Sequence, residues 1–310
     1  MMRYLLTLLA LIGVSLVFAQ KEIPPRFANE QELTQNLRRL SQEQAAIDLL
    51  APLIQLKDSP SAQSALRLAL TTLKAEGVPV LAEALNRIEK HRKINASNKK
   101  ETLAREAQYL DVGKQITQLQ TLQTLLKNNT TENIDVQTEL NFYQLRPDMR
   151  IAELGAGDPA FAKQLLKKLT PEHYYLNDID PLAVQMMSDF FHLWSEKTGA
   201  VPILGESHST QLEGQNLDAI IIRNALHHFD ELPAMLASIQ TSLAPEGKLL
   251  LKETFTESCY GLCCPDLRPE AELLQALEKA GFRLHRRSAI YEETATWHLL
   301  EFFTPKNPHH

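Results

Sequence analysis

The sequence predicts a mostly parallel, doubly wound α/β sheet of seven strands behind an N-terminal all-α region. Three observations carry that prediction. From about residue 140 onward, short β-like runs alternate with helical stretches, the pattern of successive βαβ units. Two closing runs have no helix between them, which suits an antiparallel pair at the sheet's edge. Residues 29 to 129, by contrast, hold almost no glycine, and leucine and alanine recur there at helical spacing.

At the N-terminus, Arg3 precedes an uncharged apolar run from Tyr4 to Phe18, with Val17 and Ala19 as the small residues before a cut at Gln20. Residues 1–19 are therefore expected to be a signal peptide or an N-terminal anchor, the run being short for a membrane span of about 20 residues. The expected location is exported, periplasmic or secreted, with a membrane tether by this segment as the alternative. No cysteine follows the apolar run, so a lipoprotein signal is not supported.

Residues 20–135 form the expected helical domain. Leu33, Leu37 and Leu40 begin one apolar face; Ala65, Leu66, Ala69, Leu70 and Leu73 make a second; Ile116, Leu119, Leu122 and Leu126 make a third. Breaks fall at Asp58-Ser59-Pro60 and Gly77-Val78-Pro79. Such leucine stripes are packing surfaces first, and a protein partner for this region is a further expectation.

Residues 136–310 form the second domain. Its expected strands are Arg150 to Leu154, Tyr174 to Asn177, Val201 to Leu204, Ala219 to Arg223 and Lys248 to Lys252, closed by Phe282 to Arg286 and Trp297 to Phe303. Helices are expected to begin near Pro159, Pro181, Glu231 and Glu270. A ligand should sit outside the carboxyl ends of the first strands, where such sheets open a crevice. The net charge is -6, with 32 Lys+Arg spread among 38 Asp+Glu and no basic block, so nucleic acid is excluded as a first-choice partner.

Two motifs carry the chemistry. Glu153-Leu154-Gly155-Ala156-Gly157-Asp158-Pro159 follows the first strand and opens a helix, with Asp158 suited to N-cap and Pro159 to the first helical position. Glycines there let backbone approach a ligand closely. At the end of the second strand, Asn177-Asp178-Ile179-Asp180-Pro181 offers a carboxylate able to accept from both hydroxyls of a ribose.

From Leu140 to Phe303 the chain resembles class I S-adenosylmethionine (SAM) dependent methyltransferases, which have a Rossmann-like seven-stranded sheet, and within them the small-molecule enzymes. The resemblance implies that Glu153 receives the ammonium of the methionine moiety, that Gly155, Ala156 and Gly157 line the cofactor, and that Asp178 holds the ribose with Ile179 beside it. Glu206, after the third strand, would lie near the adenine amine. Asp218 to Phe229 resembles the fourth strand and its loop, which implies Asn224 as a further cofactor-binding residue, and Leu243-Ala244-Pro245-Glu246-Gly247-Lys248 resembles the turn before strand five. Pro159 stands where many members have a third glycine, and Glu246 replaces the first glycine of the later turn.

Gly155-Ala156-Gly157-Asp158-Pro159-Ala160 also matches the looser dinucleotide fingerprint. Glu153 disfavours that reading, because a pyrophosphate would face its carboxylate whereas SAM presents an ammonium. His227 and His228, after strand four, are the candidate catalytic residues, since a histidine titrates near neutral pH and can take an acceptor's proton. Asn224-Ala225-Leu226-His227 lacks the Asn/Asp-Pro-Pro-aromatic motif of amino-methylating enzymes, which tilts the acceptor toward another atom of a small molecule. Tyr260 either lines the acceptor pocket or belongs to a covering loop.

Cys259, Cys263 and Cys264 do not have zinc spacing; small loop residues or one disulfide are expected, and no metal. The alternative functions are a SAM- or nucleoside-binding domain without turnover, acting through its helical region, and an NAD-dependent oxidoreductase.

Overall fold

The computed structural model describes residues 23–55, 114–127, 134–194 and 199–304. Residues 1–19, with the expected signal or anchor, the breaks at 58–60 and 77–79 and the apolar face at 65–73 lie outside the described residues. The chain divides into two compact units, 27–129 and 1–26 with 130–310.

In the first unit, helix α1 (Glu30–Gln55) is started by a reciprocal cap. The Glu32 amide donates to Asn29 Oδ1 at 3.0 Å while the Ala28 amide donates to Glu32 Oε2 at 2.9 Å, so two free backbone donors are satisfied at once. Leu33 and Leu40 of α1 are buried, as are Leu119 and Leu122 of helix α2 (114–127). A Gln123 to Thr34 hydrogen bond of 3.2 Å ties the two helices together.

The second unit is a seven-stranded sheet. Helix α3 (Ile134–Tyr143) leads into β1 (Arg150–Leu154), α4 (Ala160–Lys168), β2 (His173–Asp178), α5 (Pro181–Leu193), β3 (Ala200–Leu204), β4 (Leu217–Arg223), α6 (Leu232–Ser242), β5 (Leu243–Glu253), α7 (Glu270–Lys279), β6 (Arg283–Tyr291) and β7 (Thr296–Phe303). The strand order is β3-β2-β1-β4-β5-β7-β6. The first five strands are parallel, and β7 runs antiparallel to both β5 and β6. The chain winds outward from β1 through β2 and β3, then returns to β4, so the order reverses between β1 and β4. That reversal opens a crevice at the strands' carboxyl ends.

Because side chains alternate across a strand, register fixes which residues share a face. Ala152, Leu154, Ile220, Ile222, Leu249, Leu251, Leu300 and Phe302 form one buried cluster with Leu236 and Ile239 of α6 and Leu273 and Leu277 of α7. Glu153 pairs with Leu176 and Ile221, so Glu153, Asp178 and Arg223 lie on the other face. That face carries charge. Glu139 of α3 is wholly buried there and accepts from Arg223 Nε at 2.6 Å, Arg223 Nη2 at 3.0 Å and Lys252 Nζ at 2.8 Å.

Two details depart from expectation. Helix α4 begins at Ala160, with Pro159 as its cap residue, rather than at Pro159 after an Asp158 cap. Asp158 still serves that end, because its Oδ1 accepts from the Ala160 amide at 2.8 Å, one residue before the formal cap position. Strand β5 begins at Leu243, where Leu217 pairs with it before a register shift at Ala219.

Residues 23–26 belong with the sheet rather than with the helical unit. The Ile23 carbonyl accepts from Ser188 Oγ at 2.5 Å, and the Pro24 carbonyl accepts from Gln185 Nε2 at 2.8 Å. Arg26 binds the buried Asp189 carboxylate on α5, donating from its amide at 2.5 Å and from Nε at 2.8 Å.

Candidate functional site

The glycine turn after β1 is built by backbone requirements. Gly155 and Gly157 have φ of +67° and +61°, a left-handed conformation that costs an L side chain about 1–2 kcal/mol. A Cβ on Gly155 would meet Ala225 Cβ at 2.6 Å, so the turn abuts the loop after β4 at the point where strand order reverses. Around Gly157 a Cβ would find nothing within 4 Å, which leaves open space beside this backbone. Gly155→Ala is expected to destabilise the domain by about 2–3 kcal/mol, from backbone strain and the clash together, as a urea titration would register.

The turn is tied to the end of β2. The Ala156 amide donates to the Asn177 carbonyl at 3.1 Å, and the Gly157 amide donates to Asp178 Oδ2 at 2.8 Å. Asp178 Oδ1 accepts from the Asp180 amide at 2.8 Å, and Asp180 in turn caps α5 by accepting from the Leu182 amide. Each carboxylate oxygen keeps a further lone pair. Asp178 is thus fixed in place and partly exposed, with accepting capacity left for a polyol. Beside it Ile179 is 60 % exposed, an apolar surface of the kind a planar base covers.

Glu153 sits deeper than Asp178. It is 2 % exposed and accepts from the Tyr174 hydroxyl at 2.7 Å. Burial pushes its carboxyl up to about 7, against the partial pull of the Arg223 charge and the Tyr174 hydrogen bond. A carboxyl raised this way favours the folded state at low pH, and that contribution fades as pH climbs from about 4.5 to about 7. Glu153→Gln should therefore gain roughly 3 kcal/mol on the wild type between pH 4.5 and pH 8, measured as unfolding free energy of the ligand-free chain. An equal difference at both pH values would refute it.

Beyond β4, Asn224 takes φ +50° and its amide donates to the Lys252 carbonyl at 2.7 Å, holding this loop against β5. A single 3₁₀ turn, Leu226–His228, then presents the two histidines differently. His227 is buried, its Nδ1 lies 2.9 Å from Glu253 Oε1, and its Nε2 has no partner. Glu253 Oε2 and Thr254 Oγ1 beside it are likewise buried without partners. His228 is half-exposed, with Nδ1 3.3 Å from Asp266 Oδ2 and Nε2 3.9 Å from Cys264 Sγ.

Glu206 is exposed and pairs with His208 Nε2 at 3.3 Å. Tyr260 is 65 % exposed and its hydroxyl lies 3.3 Å from Thr296 Oγ1, in the loop after β5. Within that loop Cys259 and Cys263 form a disulfide, and Cys264 is free.

The structure therefore brings Gly155, Ala156, Gly157 and Asp178 into direct contact, places Glu153 on the face Asp178 shares, and sets His227 in a loop that meets the glycine turn. Glu253, Glu139, Arg223 and Tyr174 were not singled out from the sequence. Lys252 and Glu253 end β5 after the apolar run Leu249 to Leu251, and a carboxylate at such a strand tip was the available signal.

Residues 152–249 match the family model described as a methyltransferase domain. A solved SAM-dependent methyltransferase from Aquifex aeolicus superposes with a TM-score of 0.51 at 18 % identity, covering 60 % of this chain and 97 % of that one. Among curated proteins, the highly reducing polyketide synthase g433 of Fusarium sp is 26 % identical over 178 residues, 49 % of this chain and 7 % of the synthase. The highly reducing polyketide synthase PKS6 of Gibberella zeae is 30 % identical over 131 residues, 38 % of this chain and 5 % of the synthase. This chain thus spans only a small part of the length of these curated relatives. Residues 152–249 thus match a methyltransferase-domain family, and the unit that contains them has the Rossmann-like fold of the Aquifex aeolicus SAM-dependent methyltransferase.

Proposed function

We propose that this chain transfers a methyl group from SAM to a small-molecule acceptor whose reacting group lies at His227. SAM supplies an electrophilic methyl on a sulfonium; the protein's part is to hold, orient and deprotonate. The observation that carries the reading is the buried His227–Glu253 pair, with Nε2 unpartnered, in the loop that touches the glycine turn through Ala225. Glu253, 2.9 Å from Nδ1, keeps the proton on that nitrogen and leaves the Nε2 lone pair available to an acceptor's O–H or S–H.

Four groups around the glycine turn support a cofactor there. Gly157 has open space beside it, Asp178 has lone pairs for two ribose hydroxyls, Ile179 offers an apolar flank, and Glu153 is a carboxyl that a bound ammonium would return to its charged form. Pro159 lacks an amide to offer, so the amide donors at the helix start come from residues after it. Glu206 would reach an adenine amine only after leaving His208.

The test is transfer from labelled SAM to an extract of small molecules. His227→Gln should slow transfer on the order of 10²-fold while leaving SAM affinity unchanged. An undiminished rate would remove His227 from the chemistry. SAM binding with no methylated product would favour a binding domain without turnover.

We propose too that the chain works outside the cytosol. The Cys259–Cys263 disulfide supports this, since such bonds persist in oxidising compartments. N-terminal sequencing of the purified protein tests it: a start at Gln20 agrees, and a retained Met1 in a soluble fraction disagrees.

A further inference from the structure

Two histidines and a cysteine from different loops meet in one place. His227 and His228 follow β4, Cys264 follows β5, and each offers a ligand atom within 4.8 Å of the others. Cys264 Sγ and His228 Nε2 are 3.9 Å apart. A tetrahedral zinc ion bound at about 2.0–2.3 Å separates its ligand atoms by roughly 3.3–3.6 Å, so no pair of the three needs to close by more than about 1.5 Å. Two of the three lie at the surface, on the 3₁₀ turn and the Cys264 loop, where such a closure is easy.

The outer shell points the same way. A histidine that binds a metal gives its second ring nitrogen to a carboxylate, which fixes the tautomer and strengthens the ligating nitrogen. Here His227 has that partner on Nδ1 in Glu253 at 2.9 Å, and the Nδ1 of His228 has a carboxylate near it, Asp266 Oδ2 at 3.3 Å. Both Nε2 atoms are thereby left to ligate, and that of His227 is buried with no partner. An unmet buried polar group costs about 1–3 kcal/mol, so a ligand on this atom would be favoured.

We propose that His227 Nε2, His228 Nε2 and the Cys264 thiolate form a binding site for one borderline divalent cation such as Zn²⁺, with a fourth coordination position left open. The donor set of two imidazoles and one thiolate suits zinc rather than calcium or magnesium, which take oxygen ligands. Three protein ligands and an open position are the arrangement of catalytic rather than structural zinc. The further step, that the open position receives the acceptor's oxygen or sulfur, rests on the methyltransferase reading; the cation site itself does not. Such an ion would draw the acceptor toward its deprotonated form in place of the free Nε2.

The experiment uses the full chain, with its disulfide intact and no reductant, stripped by a chelator and titrated with Co²⁺. One equivalent should produce a thiolate-to-cobalt charge-transfer band with tetrahedral d–d bands, and Zn²⁺ should abolish both. Cys264→Ser should eliminate the charge-transfer band while SAM affinity stays at the wild-type value, which shows that the fold persists. Asp266→Asn, on the exposed loop, should weaken Co²⁺ binding about tenfold with the band retained. Absence of the band from the wild type, or its survival in Cys264→Ser, would overturn the site. A cobalt spectrum as expected with no methylated product would leave the cation site standing and count against the acceptor assignment alone.

Discussion

Glu139→Ala should destabilise the C-terminal unit by about 3–5 kcal/mol, the cost of stranding buried charges whose partner has been removed. Glu139 is the carboxylate that both Arg223 and Lys252 bind on the charged face of the sheet, and its side chain is wholly buried. Burial alone would raise its carboxyl, but the hydrogen bonds and charge of Arg223, then those of Lys252, outweigh it and hold the carboxyl below the usual range. The Arg223 guanidinium also lies 4.1 Å from the centre of the Phe161 ring, and the Lys252 ammonium 5.1 Å from that of Trp297, so both cations are fixed by packing as well as charge. Lys252 in particular, with a side chain 10 % exposed, has little water to replace Glu139. Glu139→Gln, which keeps an acceptor but not the charge, should fall between wild type and alanine. Urea unfolding followed by Trp297 fluorescence would measure both, and a loss below about 1 kcal/mol for the alanine variant would contradict the pairing.

Asp178→Ala should lower SAM affinity on the order of 10³-fold in a calorimetric titration. Its carboxylate is assigned two ribose hydroxyls, and hydrogen bonds to a charged group contribute about 1.5–3 kcal/mol each. The same substitution frees the Gly157 amide, 2.8 Å from Oδ2, and so loosens the glycine turn proposed to carry the cofactor. Asp178→Asn should lose less, since one oxygen remains to accept. Equal affinity in wild type and alanine variant would take the ribose away from this residue.

Much of the fold was legible because parallel strands buried on both faces are written as continuous apolar runs. Ala219 to Ile222 and Leu249 to Leu251 are such runs, and the glycine turn and Asp178 stand where strand tips must place them. The antiparallel closing pair could be read because Phe282 to Arg286 and Trp297 to Phe303 leave no room for a helix.

Elsewhere the local pattern misleads. Lys248, Lys252 and Glu301 alternate with apolar neighbours as solvent-facing residues would, yet all three are buried. Lys248 donates to the Tyr143 carbonyl and Lys252 to Glu139, so α3, an element with no catalytic signature, is what covers them. Arg26 reads as a flanking charge of the N-terminal segment, whereas its partner is Asp189, 163 residues away. The cysteines alone fail a zinc pattern because two of the candidate ligands come from the β4 loop, 36 residues before Cys264 in the case of His228. Pairings across such separations are set by sheet order, which no local window contains.

The proposed function requires a nucleoside along the glycine turn with its sugar on the β2 carboxylate. A crystal structure of the full chain with S-adenosylhomocysteine tests it most directly. The ribose hydroxyls should lie within hydrogen-bond distance of Asp178, with the amino-acid end directed toward Glu153. A ligand whose ribose contacts neither oxygen of Asp178, or one lodged away from Gly155–Gly157, would contradict it.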